Sequence, residues 1–437
     1  MAGKKPRYFY GWNIVAASLL ANLAYAEHQS SVLGLFFKPL QAEFGWSRTA
    51  IAFTQTIARL VEAGIAPFVG PLIDRYGPRV LMPIGAFIVG LAMLGITQVD
   101  ALWQFYLIRG AVVAVGFTLM GMMVSNVAVS NWFVRKRGRA LGIAHMGQNI
   151  SNVVFVSITV FIIAASGWRT MFIVFAVVAW LFALVPSVII MRRRPEDMGL
   201  HPDGEAPLPS RENESAQVNG ETSAAGQPEP VWTRREALYC GSFWMVAICF
   251  GIAHLAFQGI NISLAAFIQD LGYSDATVAG VMAFRAVIMI VAVTIMGFIA
   301  EHAHRAFARV LPFLIQSSGV FCMLFADFQL MLWLGVALYA VGFSGIIVTQ
   351  EVIYANYFGR LSLGTVRSLG FFITLGLGAA GPVAMNAIFD IFGSYRFALI
   401  AIIFLFLSAA LLLALTRPPE AKNYATAAEW AARENKR

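Results

Sequence analysis

Charge is scarce in this chain. Asp, Glu, Lys and Arg supply 12% of its 437 residues, and hydrophobic residues reach 59%; soluble domains carry about 25% charged residues. That balance excludes a water-soluble globular protein. Cysteine is scarcer still. Cys240, Cys249 and Cys322 form no CxxC pair and have no His at metal-ligand spacing, which leaves them as small packing residues. No Gly-rich nucleotide loop, nucleophile elbow or metal-ligand cluster occurs anywhere. The chain is therefore not expected to be an enzyme or to need a cofactor or metal, and any uphill work must draw on an ion or solute gradient. The basic N-terminus lacks an Ala-x-Ala site after a short apolar core, so it reads as an uncleaved first helix.

Apolar runs are what the chain has instead. A spanning helix needs about 20 mostly apolar residues. Twelve candidates occur, at 12–37, 49–71, 80–98, 101–128, 139–165, 169–191, 238–268, 275–300, 310–327, 329–355, 365–389 and 394–415. The expectation is an all-α integral membrane protein with two six-helix halves, 1–191 and 237–437. A hydrophilic stretch at 192–236, rich in Pro, Glu, Ser and Gly, joins them and reads as a flexible linker. Within it, Thr233-Arg-Arg-Glu236 has the spelling of a capping box.

The net charge of +8 invites a nucleic-acid reading, but its placement rejects one. With the N-terminus inside, the inner segments hold 24 Lys and Arg, the outer loops four, and three lie within spans. This is the positive-inside pattern of an inner (plasma) membrane protein with both termini cytoplasmic. The basic excess faces the lipid bilayer's inner surface.

The halves repeat each other. Phe44-Gly45-Trp46-Ser47 returns as Leu271-Gly272-Tyr273-Ser274 at an offset of 227, and Arg139-Ala-Leu-Gly142 returns as Arg367-Ser-Leu-Gly370 at 228. Trp168-Arg169 returns as Tyr395-Arg396, and Arg59 falls on Arg285 at 226. A duplicated membrane chain with a buried cation in each copy is the pattern of a transporter whose cavity lies between its repeats.

At the end of span two stands Gly70-Pro-Leu-Ile-Asp74-Arg75-Tyr-Gly77-Pro-Arg79. Gly70 allows close helix contact, Asp74 suits a helix N-terminus, and Arg75 and Arg79 can meet carboxylates or lipid phosphates. In this motif the chain resembles the major facilitator superfamily, departing from the usual pattern at Pro78. The resemblance implies that the loop gates the conformational cycle and does not bind substrate. Tyr10-Gly11-Trp12, Phe44-Gly-Trp-Ser-Arg48, Asn131-Trp-Phe-Val-Arg-Lys-Arg-Gly-Arg-Ala-Leu-Gly142 and Tyr357-Phe-Gly-Arg360 narrow it further. Together they are similar to the bacterial branch of the monocarboxylate and oxalate–formate transporters. That implies movement of small carboxylates, often with a proton.

Arg285 sits about ten residues into span eight. A charge there is costly, on the order of 3 kcal/mol, unless it meets a cavity or partner, and its planar fork fits a carboxylate. Monocarboxylate relatives use a span-eight arginine in this way. They often carry an aspartate one turn earlier, where this chain has Val281. His254, Gln258 and Asn261 form a polar stripe in span seven, readable as substrate lining or as interhelical bonding.

Arg59 lies one turn from Glu62, with Glu27 in span one; it reads as a substrate contact or, more readily, as a neutralising ion pair. Glu27, His28 and Glu62 are the candidates for carrying a proton. Gln148 and Asn149 in span five could complete a polar wall, and Arg109 reads as structural. Gly376, Gly378 and Gly381-Pro382 suggest a bend in span eleven.

The expected function is secondary active transport of small organic monoanions, proton-coupled, by alternating access. An electroneutral carboxylate exchanger, a two-arginine inorganic-anion porter and a non-transporting carboxylate sensor are the alternatives. The expected partners are the anion, a proton or counter-anion, and the bilayer, with no nucleic acid.

Overall fold

The structure is a computed structural model that describes residues 9–204, 229–302, 306–421 and 423–425. The central part of the expected linker, 205–228, and the tail beyond 425 lie outside the described residues. Eleven helices among the described residues are long and apolar enough to cross a membrane. In chain order these are span two (Arg48–Tyr76), three (Pro78–Ile96), four (Leu102–Trp132), five (Arg137–Ser166) and six (Trp168–Ile189). Spans seven to twelve follow: Gly241–Asp270, Asp275–Ala300, Ala306–Met323, Gln329–Phe358, Leu363–Phe392 and Arg396–Leu415.

Span one departs from the expected continuous run over 12–37. Its helix, Gly11–Leu23, ends after 13 residues; the chain leaves helical form through residues 24–29 and resumes at Ser30–Leu33. The break falls on Tyr25-Ala-Glu27-His28-Gln29, whose side chains find partners on neighbouring helices. Backbone groups freed inside a membrane need substitutes. Gln55 Nε2 supplies one, donating to the His28 carbonyl at 3.3 Å. Span four is also irregular. A π-helical turn over Tyr106–Val112 carries Arg109, and an extended Gly121 interrupts the helix before Met122.

Two compact units result. One comprises Met1–Val231 with Gly359–Ser368 and Lys422–Arg437; the other comprises Trp232–Phe358 with Leu369–Ala421. These bounds differ from a division into 1–191 and 237–437: of the described linker residues, 192–204 and 229–231 fall in the first unit and 232–236 in the second. Both Asp203 carboxylate oxygens accept backbone N–H groups, from Val134 at 2.9 Å, Arg135 at 2.8 Å and Lys136 at 3.1 Å. Arg360 pairs with Glu196 and, at 2.6 Å, with Glu229. Glu229–Val231 forms an antiparallel ladder with Asn423–Ala425. Thr233 then makes the capping box, its hydroxyl accepting from Glu236 N at 3.3 Å while Thr233 N donates to Glu236 Oε2 at 2.8 Å.

The sequence repeat has local geometric counterparts. Ser47 caps span two by accepting from Ala50 N at 3.1 Å, and Ser274 caps span eight by accepting from Thr277 N at 3.3 Å. The glycines two residues earlier, Gly45 and Gly272, are both left-handed, at φ 70° and 83°. Each repeat therefore stops one helix on a glycine and starts the next on a serine oxygen.

Candidate functional site

In the second unit, spans seven, eight and ten converge on Arg285. Its Nη2 donates to Asn261 Oδ1 at 2.7 Å, while Nε and Nη1 are buried with no hydrogen-bond partner among the described residues. The wholly buried Tyr339 hydroxyl, on span ten, is in electrostatic reach of the guanidinium. One turn before Asn261, Phe257 stacks on Phe343, with ring centroids 3.5 Å apart. Phe343 is one turn after Tyr339. A buried cation with open donors is expensive unless an acceptor completes it.

His254 lies one layer along span seven. Its Nδ1 is 3.0 Å from the Phe250 carbonyl, and its ring meets Phe343 edge-on at 5.9 Å. Gln258 and His254 border Gly378 of span eleven. Close approach holds these helices together: a Cβ on Gly381 would stand 2.0 Å from the Leu255 carbonyl oxygen. Span eleven runs as one helix through Pro382.

The first unit holds a different cluster. Arg109, 1% exposed, donates through Nε to Glu27 Oε1 at 2.8 Å, through Nη1 to Thr54 Oγ1 at 2.9 Å and through Nη2 to Gln55 Oε1 at 2.9 Å. His28 Nε2 lies 2.7 Å from Glu62 Oε1, and Arg59 Nη1 lies 3.0 Å from Glu62 Oε2. Tyr25 packs edge-on against His28 and Phe117. With His28 neutral, two arginines balance two glutamates. Gln148 enters through its backbone carbonyl, which accepts from Gln29 Nε2 at 3.1 Å. Asn149 is half-buried on the same helix.

Arg59 was expected to neutralise one or both of Glu62 and Glu27; it pairs with Glu62, and Glu27 pairs with Arg109. Thr54, Gln55, Tyr25 and Tyr339 were not singled out. Thr54 and Gln55 did carry a signal, since with Arg59 and Glu62 they recur at helical spacing in an apolar span. Tyr339 carried none beyond a hydroxyl in an apolar run.

The motif loop is separate from both clusters. Asp74 accepts from Gly364 N at 2.9 Å, Thr365 N at 2.8 Å and Thr365 Oγ1 at 2.8 Å, at the start of span eleven. Arg193 donates to the Asp74 carbonyl and packs against Gly77. Gly70 lets this happen, since a Cβ there would stand 2.4 Å from the Gly364 carbonyl oxygen. Neither Arg75 nor Arg79 meets a carboxylate among the described residues, since both Asp74 oxygens are taken by span-eleven donors, which leaves lipid phosphates as the expected partners. Arg75 lies over the Tyr76 ring at 5.2 Å and Arg79 is exposed.

Three groups outside the spans have shifted proton affinities. Burial alone would lower the pKa of Arg360, but Glu229 and Glu196 outweigh it and raise the pKa. Arg194 is pushed down to about 10 by burial, then by neighbouring Arg193. The Trp168 indole, with Arg169, holds the Glu43 carboxyl below the usual glutamate range.

Comparison with known proteins bears on the family and the fold. A sequence model of the Major Facilitator Superfamily matches residues 19–381. Mouse monocarboxylate transporter 6 is 25% identical over 166 residues, 38% of this chain and 35% of that protein. The oxalate:formate antiporter of Oxalobacter formigenes is 27% identical over 135 residues, 30% of each chain. The probable L-galactonate transporter of Escherichia coli K12 is 30% identical over 158 residues, 36% of this chain and 34% of that one. The chain thus spans about a third of the length of these curated relatives. A double-tryptophan mutant of XylE has a similar fold, with a TM-score of 0.73 at 15% identity over 97% of this chain and 98% of that one. The human organic anion transporter MFSD10 gives 0.61 at 14% identity, over 92% and 98%.

Proposed function

The chain belongs to the Major Facilitator Superfamily, and on that premise we propose that it is a proton-coupled secondary transporter of small organic monoanions. It works by alternating access in the plasma membrane, with both termini cytoplasmic. The observation that carries the reading is Arg285, a buried guanidinium held by Asn261 with two nitrogens left open. A carboxylate supplies the missing acceptors in a planar geometry that the fork matches. Tyr339 stands beside the same group, and His254 and Gln258 lie one to two turns along span seven, placed to orient the remainder of the substrate. With His28 neutral the first unit's cluster is charge-balanced, and Arg285 faces no carboxylate among the described residues, which suits a single negative charge on the ligand. The similar proteins, a monocarboxylate transporter, an oxalate:formate antiporter and a probable L-galactonate transporter, share carboxylate chemistry, which supports this reading.

Exchange of one carboxylate for another is the second reading, favoured by similarity to the oxalate:formate antiporter. Span eleven contains no lysine to hold a second negative charge, which argues for monoanions in either reading. Reconstitution into proteoliposomes with labelled formate, acetate, pyruvate, L-lactate and benzoate tests both. Proton-coupled transport predicts accumulation driven by an imposed pH gradient. Exchange predicts movement that ignores the gradient and requires internal anion. Arg285→Ala retaining full transport of whichever anion the wild type carries would remove the basis of the assignment.

A further inference from the structure

We propose that Arg59 is a second anion-binding group, masked by Glu62 and uncovered when a proton enters the His28–Glu62 pair. The inference rests on the transport reading above and names where proton and carboxylate charges meet. Glu62 is shared: Oε2 is 3.0 Å from Arg59 Nη1, and Oε1 is 2.7 Å from His28 Nε2. The two ends differ in access. The side chains of Glu62 and His28 are 3% and 2% exposed, while that of Arg59 is 34% exposed. The Arg59 side chain is therefore only partly covered, while the carboxylate that neutralises it is buried.

The groups facing this pair come from three elements. From the break in span one come Tyr25, which touches both Glu62 and Arg59 electrostatically, and Glu27, whose charge acts on His28. Span two contributes Arg59 itself, and span four contributes Phe117 against the imidazole and Arg109 behind Glu27. Arg109 bonds Glu27, Thr54 and Gln55, and both Arg109 and Glu27 are buried. Of the two arginine–glutamate pairs described in this cluster, Arg59–Glu62 joins a partly exposed cation to a buried anion, and Arg109–Glu27 is buried on both sides.

The charge balance gives the coupling. A proton from the bulk phase adds to the pair, shared between Glu62 Oε1 and His28 Nε2. Carboxylate becomes carboxylic acid, or imidazole becomes imidazolium, and no other bond changes. The cluster then carries one uncompensated positive charge, and Arg59 is the member able to present it to a ligand. A carboxylate binds there, and its departure restores the ion pair and expels the proton. One anion and one proton enter and leave together.

The test uses purified full-length protein in liposomes with trapped pyranine to read lumen pH, and the five labelled carboxylates named above. Wild type should acidify the lumen as anion enters, with uptake falling as external pH rises. Glu62→Gln should abolish acidification and make anion counterflow independent of pH. Arg59→Met should raise KM by about tenfold or more, equivalent to about 1.4 kcal/mol, and abolish the pH dependence of KM. His28→Gln, which leaves the Arg59–Glu62 pair intact, should move the pH midpoint of uptake to more acid values and gives an independent reading should Glu62→Gln fail to fold. Wild-type proton-to-anion ratios in Glu62→Gln, or an unchanged pH profile in Arg59→Met or His28→Gln, would overturn the proposal while leaving the transport reading in place. Wild-type protein that carries none of the five anions overturns the transport reading, and this inference with it.

Discussion

Arg109 and Glu27 meet at 2.8 Å with 1% and 3% of their side chains exposed, and each sits where its helix is irregular. Glu27 lies in the break of span one, and Arg109 lies in the π-helical turn of span four. A π-turn shifts the side-chain register of a helix and is common at functional positions. Here it aims a guanidinium at the carboxylate, and the remaining nitrogens are met by Thr54 and Gln55 of span two. Three helices are tied at one point, so the pair acts as a strut.

Breaking that strut from one side should be worse than removing it. Arg109→Met leaves a buried carboxylate alone, and Glu27→Gln leaves a buried cation; removing one partner of a buried pair typically costs about 3–5 kcal/mol. The double variant should lose less than the sum of the singles. Thermal unfolding of the four proteins in detergent checks this, and strict additivity would mean the two groups do not interact.

Arg285 and Asn261 should separate in kinetics. Asn261 Oδ1 fixes one edge of the guanidinium, so Asn261→Ala should raise KM by about tenfold, the worth of about 1.4 kcal/mol, through loss of pre-organisation. Arg285→Lys keeps the charge but loses the planar fork and should lose far more. Equal, small effects from both variants would indicate that the carboxylate binds elsewhere. The comparison is made by initial-rate uptake of the best-carried anion.

What could be read from residues alone followed periodicity and repetition. Spans two to twelve are long apolar runs, and the caps at Ser47 and Ser274 sit in the repeated Gly-aromatic-Ser spelling. The break at 24–29 was not legible, because Tyr-Ala-Glu-His-Gln is compatible with a helix; tertiary partners on spans two and four decide it. The same is true of Arg109. Its π-turn leaves no spelling, and its partner is 82 positions away in sequence. The linker ends show a related limit: their composition is that of an unordered segment, yet single carboxylates, Asp203, Glu196 and Glu229, bind donors far along the chain. Composition reports the average tendency of a stretch and misses a few strong bonds at its edges.

Gly70 and Asp74 should respond to substitution for different reasons. Gly70→Ala would force a methyl to 2.4 Å from the Gly364 carbonyl oxygen and to 2.2 Å from Ser368 Oγ; the hydroxyl can rotate away but the backbone oxygen cannot. Loss of the close contact should lower the melting temperature and, with it, the transport rate. Asp74→Asn keeps the size but removes the negative charge from the N-terminus of span eleven, an interaction worth roughly 0.3–1 kcal/mol when exposed and about 2 when partly buried. It also puts an amide donor against Thr365 and Gly364 N–H groups. The expected order of destabilisation is Gly70→Ala above Asp74→Asn, read by thermal unfolding; the reverse order would mean that charge outweighs close packing at this contact.

Acid sensitivity should trace partly to Glu43. Its carboxylate accepts from Trp168 Nε1 at 2.6 Å and pairs with Arg169, which also donates to the Thr97 carbonyl at 3.0 Å. The indole and the guanidinium hold the folded carboxyl below the ordinary value of 4.5. A depressed folded value means the pair's contribution is complete above the unfolded value and disappears as pH falls through the folded one. The site is largely exposed, so solvent screening keeps the effect small, roughly within 1 kcal/mol. Trp168→Phe removes the larger of the two causes while keeping most of the packing against Phe172 and Phe44. Melting temperatures measured from about pH 6 down to about pH 3 should therefore fall less steeply in Trp168→Phe than in wild type, and the two curves should converge at the acid end. A parallel displacement at every pH would show that the indole contributes through packing alone.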